Sequence, residues 1–166
     1  KMSLDAKDKE ILGILEKNAK MPLSKIAIMV DISEEDAALR IKNLEEKGII
    51  LQYKTIIDWE KADEEKVYAF IEVRVIPERD TGFDAIAKRI YNFPEVHSLY
   101  LMAGDYDFAV VVEGKSMKEL AYFVAEKLSP LPHIQSTGTH FLLKKYKLDG
   151  KIIEEETTDK RLAMTL

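Results

Sequence analysis

The sequence has no cysteine, which removes disulfides, thiolate metal sites and cysteine nucleophiles together. It has three histidines, His97, His133 and His140. The last two stand seven apart on one predicted strand, which sends them to opposite faces and argues against a shared metal ion. Long apolar runs are missing as well: the longest, such as 67–71 and 108–112, fall far short of the ~20 residues that a membrane helix needs. No continuous apolar leader segment is present near the N-terminus, so a cytoplasmic protein with no membrane partner is expected. Finally, there is no basic excess. Lys and Arg number 25 against 30 Asp and Glu, a net charge of −5, so any nucleic-acid binding has to come from a local patch.

What is present suffices for two small domains: 166 residues, 46% of them hydrophobic. Residues 5–50 have the pattern of a helix-turn-helix. Asp5 can cap a first helix whose apolar residues Ile11, Leu12, Ile14 and Leu15 fall at helical spacing, and residues 18–22 break it. Leu23, Ile26, Ala27 and Val30 stripe a short second helix, with Asp31 and Ile32 as the turn. Ser33 offers an N-cap to a third helix, with Asp36 three residues on as a short version of the capping box. Ala37, Ile41 and Leu44 would form its buried stripe, leaving Glu34, Glu35, Arg40, Lys42, Asn43 and Lys47 outward, and Gly48 would stop it.

After Gly48 the period changes. Ile49, Ile50, Leu51, Tyr53, Thr55 and Ile57 suggest a strand leaving the helical module, followed by a polar linker at 61–66. From Val67 the order is strand, helix, strand, strand, helix, strand: 67–76, 80–92, 96–102, 106–113, a helix capped by Ser116, and 134–148. That is the split βαβ order of a ferredoxin-like domain. Asp149 and Gly150 fit a two-residue hairpin turn, with either a short extra strand or a loose charged tail beyond.

Taken together, these residues resemble the Lrp/AsnC (feast/famine) family of transcription factors. The resemblance runs from about residue 4 to 148. It is carried by Leu4-Asp5, Asp8, Ile11-Leu12, Asn18-Ala19, Ile32-Ser33, Arg40-Ile41, Leu44-Glu45 and Gly48-Ile49-Ile50 in the first domain. In the second it is carried by Pro94-Glu95-Val96, Ala103-Gly104-Asp105-Tyr106-Asp107, Leu131-Pro132 and Ser136-Thr137. The resemblance implies an α+β protein: an N-terminal winged helix-turn-helix at 1–60, a linker at 61–66, a ferredoxin-like (RAM-type) ligand-sensing domain at 67–148 and a tail at 149–166. It implies a homodimer and higher assemblies such as an octamer, double-stranded DNA and a small effector such as an amino acid as partners, and no cofactor.

By the same resemblance, Arg40, Lys42 and Asn43 face the bases, and Lys20 and Lys25 hold phosphate. Chemically, arginine suits guanine or phosphate and asparagine suits adenine. Against this stand Glu34, Glu35, Asp36, Glu45 and Glu46, five acids against three bases over residues 33–48, which repel phosphate but favour the helix N-terminus. The effector is expected at Gly104, Asp105, Tyr106 and Asp107, with Ser136 and Thr137 as neighbours. A glycine corner frees backbone N–H groups for a carboxylate, and Asp105 or Asp107 can accept an ammonium. The competing reading is an ordinary hairpin turn with solvated acids. Two further classes stand beside the regulator: a DNA-silent subunit that mixes with another regulator, and an enzyme akin to the sirohaem decarboxylases, toward which only His97 points.

Overall fold

The computed structural model describes residues 4–76 and 82–153, and divides the chain into two compact units, one ending at Ile57 and the next beginning at Asp58. The first holds three helices, α1 (Ala6–Lys17), α2 (Leu23–Val30) and α3 (Glu34–Glu46). Their core is Ile11, Ile26, Val30 and Leu44, with Leu12, Leu15, Ile32 and Ile41 packed around it. Asp31 takes a left-handed conformation (φ 57°) that turns α2 toward α3, and Lys7 Nζ donates to the carbonyls of Val30 and Asp31 at 2.7 and 2.9 Å. A cation from α1 thus answers the negative end of α2. Gly48, at φ 65°, ends α3: its N–H meets the Glu45 carbonyl and that of Ile49 the Leu44 carbonyl, the two bonds of a Schellman motif.

One expectation is corrected here. Arg40 does not face outward with Lys42 and Asn43. Its Nη1 lies 2.7 Å from Asp5 Oδ2 and 2.8 Å from Asp8 Oδ1, and its Nε is 3.1 Å from Asp36 Oδ1, leaving the side chain 22% exposed. The same two α1 acids form a reciprocal capping box, Asp5 Oδ1 accepting from Asp8 N–H and Asp8 Oδ2 from Asp5 N–H. Each carboxylate therefore spends one oxygen on its own helix and the other on Arg40. Ser33 caps α3 as expected, accepting from Asp36 N–H at 3.1 Å, while the Asp36 side chain turns to Arg40.

A second correction concerns residues 49–57, which form no strand among the described residues. Their alternation fits extended backbone, but a ladder needs a partner, and Leu51 stays 88% exposed.

The second unit is a four-stranded antiparallel sheet in the order β2-β3-β1-β4, from β1 (Val67–Val75), β2 (Val96–Leu101), β3 (Phe108–Gly114) and β4 (Ile134–Phe141). With α4 (Gly82–Tyr91) and α5 (Met117–Phe123) this is the expected ferredoxin-like order. Alternation along β1 sends Ala69, Ile71, Val73 and Val75 into a core with Val110, Val112, Ile86, Ile90, Leu120 and Phe123. Tyr68, Phe70, Glu72 and Arg74 take the other face. The last turn of α5 widens to a π turn, Val124–Leu128. The predicted final strand stops at Phe141 rather than 148: Phe141 pairs with Ala69, Leu142 N–H still reaches the Tyr68 carbonyl at 2.9 Å, and past Leu143 β1 has no residue left to pair. The hairpin at 149–150 does form: β5 (Lys147–Leu148) pairs with β6 (Lys151–Ile152), and Asp149 and Gly150 both have positive φ, 46° and 79°, as a type I′ turn requires. The expected helix start at 80–81 and the tail beyond 153 lie outside the described residues.

Because Arg40 uses two different nitrogens on three carboxylates, lysine cannot reproduce the contacts. Arg40→Lys is expected to lower the thermal midpoint of the helical unit nearly as far as Arg40→Met, in melts followed by circular dichroism; full recovery with lysine would mean that a point charge suffices. The hydrogen bond from Arg40 holds the Asp5 carboxyl below its ordinary value of 3.8. Its folded value is the depressed one, so its contribution to stability is complete above that pH and is lost as the pH falls below it.

Candidate nucleic-acid interface and effector turn

Steps of about 100° per residue along α3 set Ala37, Ile41 and Leu44 inward and Glu35, Leu39, Lys42 and Glu46 most nearly opposite, with Ala38 and Asn43 on the shoulders. Lys42 and Asn43 are exposed on this face as expected, but Lys42 Nζ lies 3.7 Å from Glu46 Oε1. Lys20 and Lys25 are exposed on the approach to α2 and within it. Of the five candidate DNA contacts, four are therefore accessible and Arg40 is occupied. Glu34 and Glu35 stay exposed in the first turn, where the helix dipole favours them. The outward apolar pair Ala38 and Leu39 escaped the sequence reading, which looked for charge. Its signal was available, since neither belongs to the 37, 41, 44 stripe.

Residues 102–107 join β2 to β3. Met102 N–H donates to the Asp107 carbonyl at 2.8 Å, and Asp107 N–H to the Val73 carbonyl at 3.0 Å. The Asp107 carboxylate then accepts from Val75 N–H at 2.8 Å, standing in for a strand residue where β3 has ended. One of its oxygens is thus committed to the sheet. Asp105 is exposed, Gly104 has φ 152° with open space where a side chain would begin, and Tyr106 meets Phe70 edge-on at 6.3 Å. Ser136 and Thr137 pair with Arg74 and Val73, at the same end of the sheet but across β1 from the turn. They also part company: Thr137 Oγ1 is 3.3 Å from Ser129 Oγ at the end of the α5 segment, whereas alternation sends Ser136 to the opposite face.

A cleft of about 400 Å³ lies elsewhere, between α4 and β2, lined by Phe83, Tyr91, His97 and Leu99 among others and by none of residues 103–107. His97 sits where the β2–β3 register shifts, with Nδ1 3.6 Å from Glu113. Burial pushes the Glu113 carboxyl up, but the hydrogen bond and charge of Lys66 at 2.8 Å outweigh it and hold the group below the usual range. Beside it, burial and then the charge of Glu113 push the Tyr68 hydroxyl up to about 12. No group of three metal-ligating side chains occurs among the described residues.

Asp107→Ala is expected to destabilise the sheet domain by roughly 1–3 kcal/mol, the usual consequence of stranding a backbone donor, whereas Asp107→Asn keeps an acceptor oxygen and loses less. Denaturant titration of the two variants measures the difference; equal losses would show that the carboxylate does not serve the sheet.

Comparison with known proteins agrees with this layout. Residues 4–45 match the AsnC-type helix-turn-helix domain and residues 68–152 the Lrp/AsnC ligand binding domain. The chain is 47% identical over 165 residues to the uncharacterized HTH-type transcriptional regulator YugG of Bacillus subtilis, covering 99% of each. It is 30% identical over 141 residues to the proline dehydrogenase transcriptional activator of Rhodobacter capsulatus, covering 85% of this chain and 91% of that one. Among solved structures, the transcriptional regulator NMB0573 of Neisseria meningitidis, in complex with L-Met, superposes with a TM-score of 0.70 at 27% identity, covering 88% and 94%. These relatives are regulators rather than enzymes, and the chain belongs to the Lrp/AsnC family of DNA-binding helix-turn-helix transcriptional regulators.

Proposed function

We propose that the protein is a cytoplasmic, homo-oligomeric regulator that binds particular double-stranded DNA sequences through α3 and alters that binding when an amino acid or related metabolite reaches the 103–107 turn. The observation that carries this reading is the joining, in one chain, of an exposed helix-turn-helix face to a sheet domain matched as ligand-binding. In this reading Lys42 and Asn43 address base edges, and Lys20 and Lys25 address phosphates. Arg40 acts through the placement of α3 instead. An L-Met complex of a relative supports an amino-acid effector, and the exposed Tyr100, Leu101 and Leu143 support assembly of copies. No helix among the described residues is long and apolar enough to cross a membrane. The exposed Glu34 and Glu35, with Arg40 occupied, favour one second reading, a DNA-silent subunit that mixes with another regulator.

Selection of bound genomic fragments with the full chain, at low and moderate salt, separates the two. Enriched sequence supports the regulator, and its absence the silent subunit. Glu34→Gln with Glu35→Gln is expected to raise affinity for non-specific duplex, most at low salt, because repulsion of phosphate is removed. Unchanged binding across the salt series would mean that these acids point away from DNA. For the effector, calorimetry with L-methionine and the other common amino acids should give a ligand whose binding is lost in Gly104→Val; retention would move the site away from the turn. Sedimentation of the full chain at micromolar concentration should give a dimer or larger.

A further inference from the structure

We infer that α3 recognises A·T pairs by the thymine C5-methyl group, with Leu39, flanked by Ala38, as the apolar contact. This rests on the DNA-binding reading above and gives it a base preference. The N-terminal residues of a recognition helix are those that reach base edges. Over the first two turns of α3 the exposed side chains are Glu34, Glu35, Ala38 and Leu39, and none of them carries a hydrogen-bond donor. The one donor of that stretch, Arg40, is held by Asp5, Asp8 and Asp36. Guanine, which offers only acceptors in the major groove, therefore finds no partner there.

An A·T pair offers what this surface can take. Thymine presents a methyl group that no G·C pair has; the adenine N6 amino group, like the cytosine N4 amino group, takes an acceptor such as a Glu35 carboxylate, so the methyl group alone carries the preference. Leu39 is 57% exposed, two residues and about 200° around the helix from the buried Ala37. A single exposed leucine is ordinary on a protein surface. Here it stands on the outward face beside the smallest side chain of the row, so a methyl group can approach it. Donors begin only one turn later, with the exposed Lys42, 3.7 Å from Glu46, and Asn43. The acids that keep α3 from phosphate and the apolar pair beside them thus have complementary uses on the same base pair.

The test uses duplexes enriched by the full-length protein, synthesised with thymine or with uracil, which lacks only the methyl group. Affinity at fixed salt should fall about fourfold for each methyl lost from contact, which corresponds to about 0.8 kcal/mol. In Leu39→Ala, a substitution on an exposed helical position, the thymine-to-uracil ratio should shrink toward one. Equal wild-type affinity for the two duplexes overturns the inference, as does an undiminished ratio in Leu39→Ala. Failure to enrich any fragment overturns the regulator reading itself and this inference with it, a result distinct from specific binding that ignores the methyl group.

Discussion

The helical unit depends on one guanidinium. Arg40 reaches from the middle of α3 to the first turn of α1 and takes one oxygen from each member of the Asp5 and Asp8 capping box, while Asp36 holds its Nε from the preceding turn of its own helix. Cap and tether are thus a single construction. Without the cation, three carboxylates would be left close together at the end of α1, and the angle at which α3 is presented would rest on Leu44, Ile41 and Ala37 alone. Apolar packing is non-directional, whereas hydrogen bonds to two nitrogens of a planar group fix orientation. A helix presented to DNA, as proposed for α3, would draw on the second kind of constraint.

That arrangement also explains the charge pattern that looks so unsuited to DNA. Asp36 is one of the three consecutive acids at the start of α3, and its charge is balanced locally by Arg40. Glu46 likewise faces Lys42. What reaches the outer surface without a cation beside it is Glu34 and Glu35, at the helix end where the dipole tolerates them, and Glu45, which accepts from the Tyr53 hydroxyl at 2.6 Å. The acidity of the helix is therefore partly a by-product of holding it in place.

The element order from Val67 onward was legible because strands and helices alternate with strong, distinct periods: Ala69, Ile71 and Val73 at spacing two, Ile86 and Ile90 at spacing four. Local signals were legible too, such as Ser33, Ser116, Gly48 and the Asp149 and Gly150 turn. The failures share a cause, which is distance along the chain. Arg40 and Asp5 are 35 residues apart, so no local pattern distinguishes a tethered arginine from a DNA-facing one. Asp107 and Val75 are 32 apart, and a carboxylate in a glycine turn gives no sign that it is finishing a neighbouring strand. The end of β4 at Phe141 and the unpaired 49–57 segment were likewise decided by the presence or absence of a partner strand. Ser136 and Thr137, adjacent in sequence, were parted by simple alternation once β4 was in place.

The Asp107 contact joins a surface turn to the strand that lies between β3 and β4. Val75 is the last residue of β1 and also the point where its pairing with β4 shifts register, so the carboxylate steadies the sheet at its least regular position. Mechanically, the turn is a latch on an interior strand and not an appendage of the β2 edge. A ligand held at residues 103–107, as proposed, would compete with, or tighten, a bond that both flanking strands feel, and by thermodynamic reciprocity a loosened end of β1 would alter the grip of the turn by the same free energy.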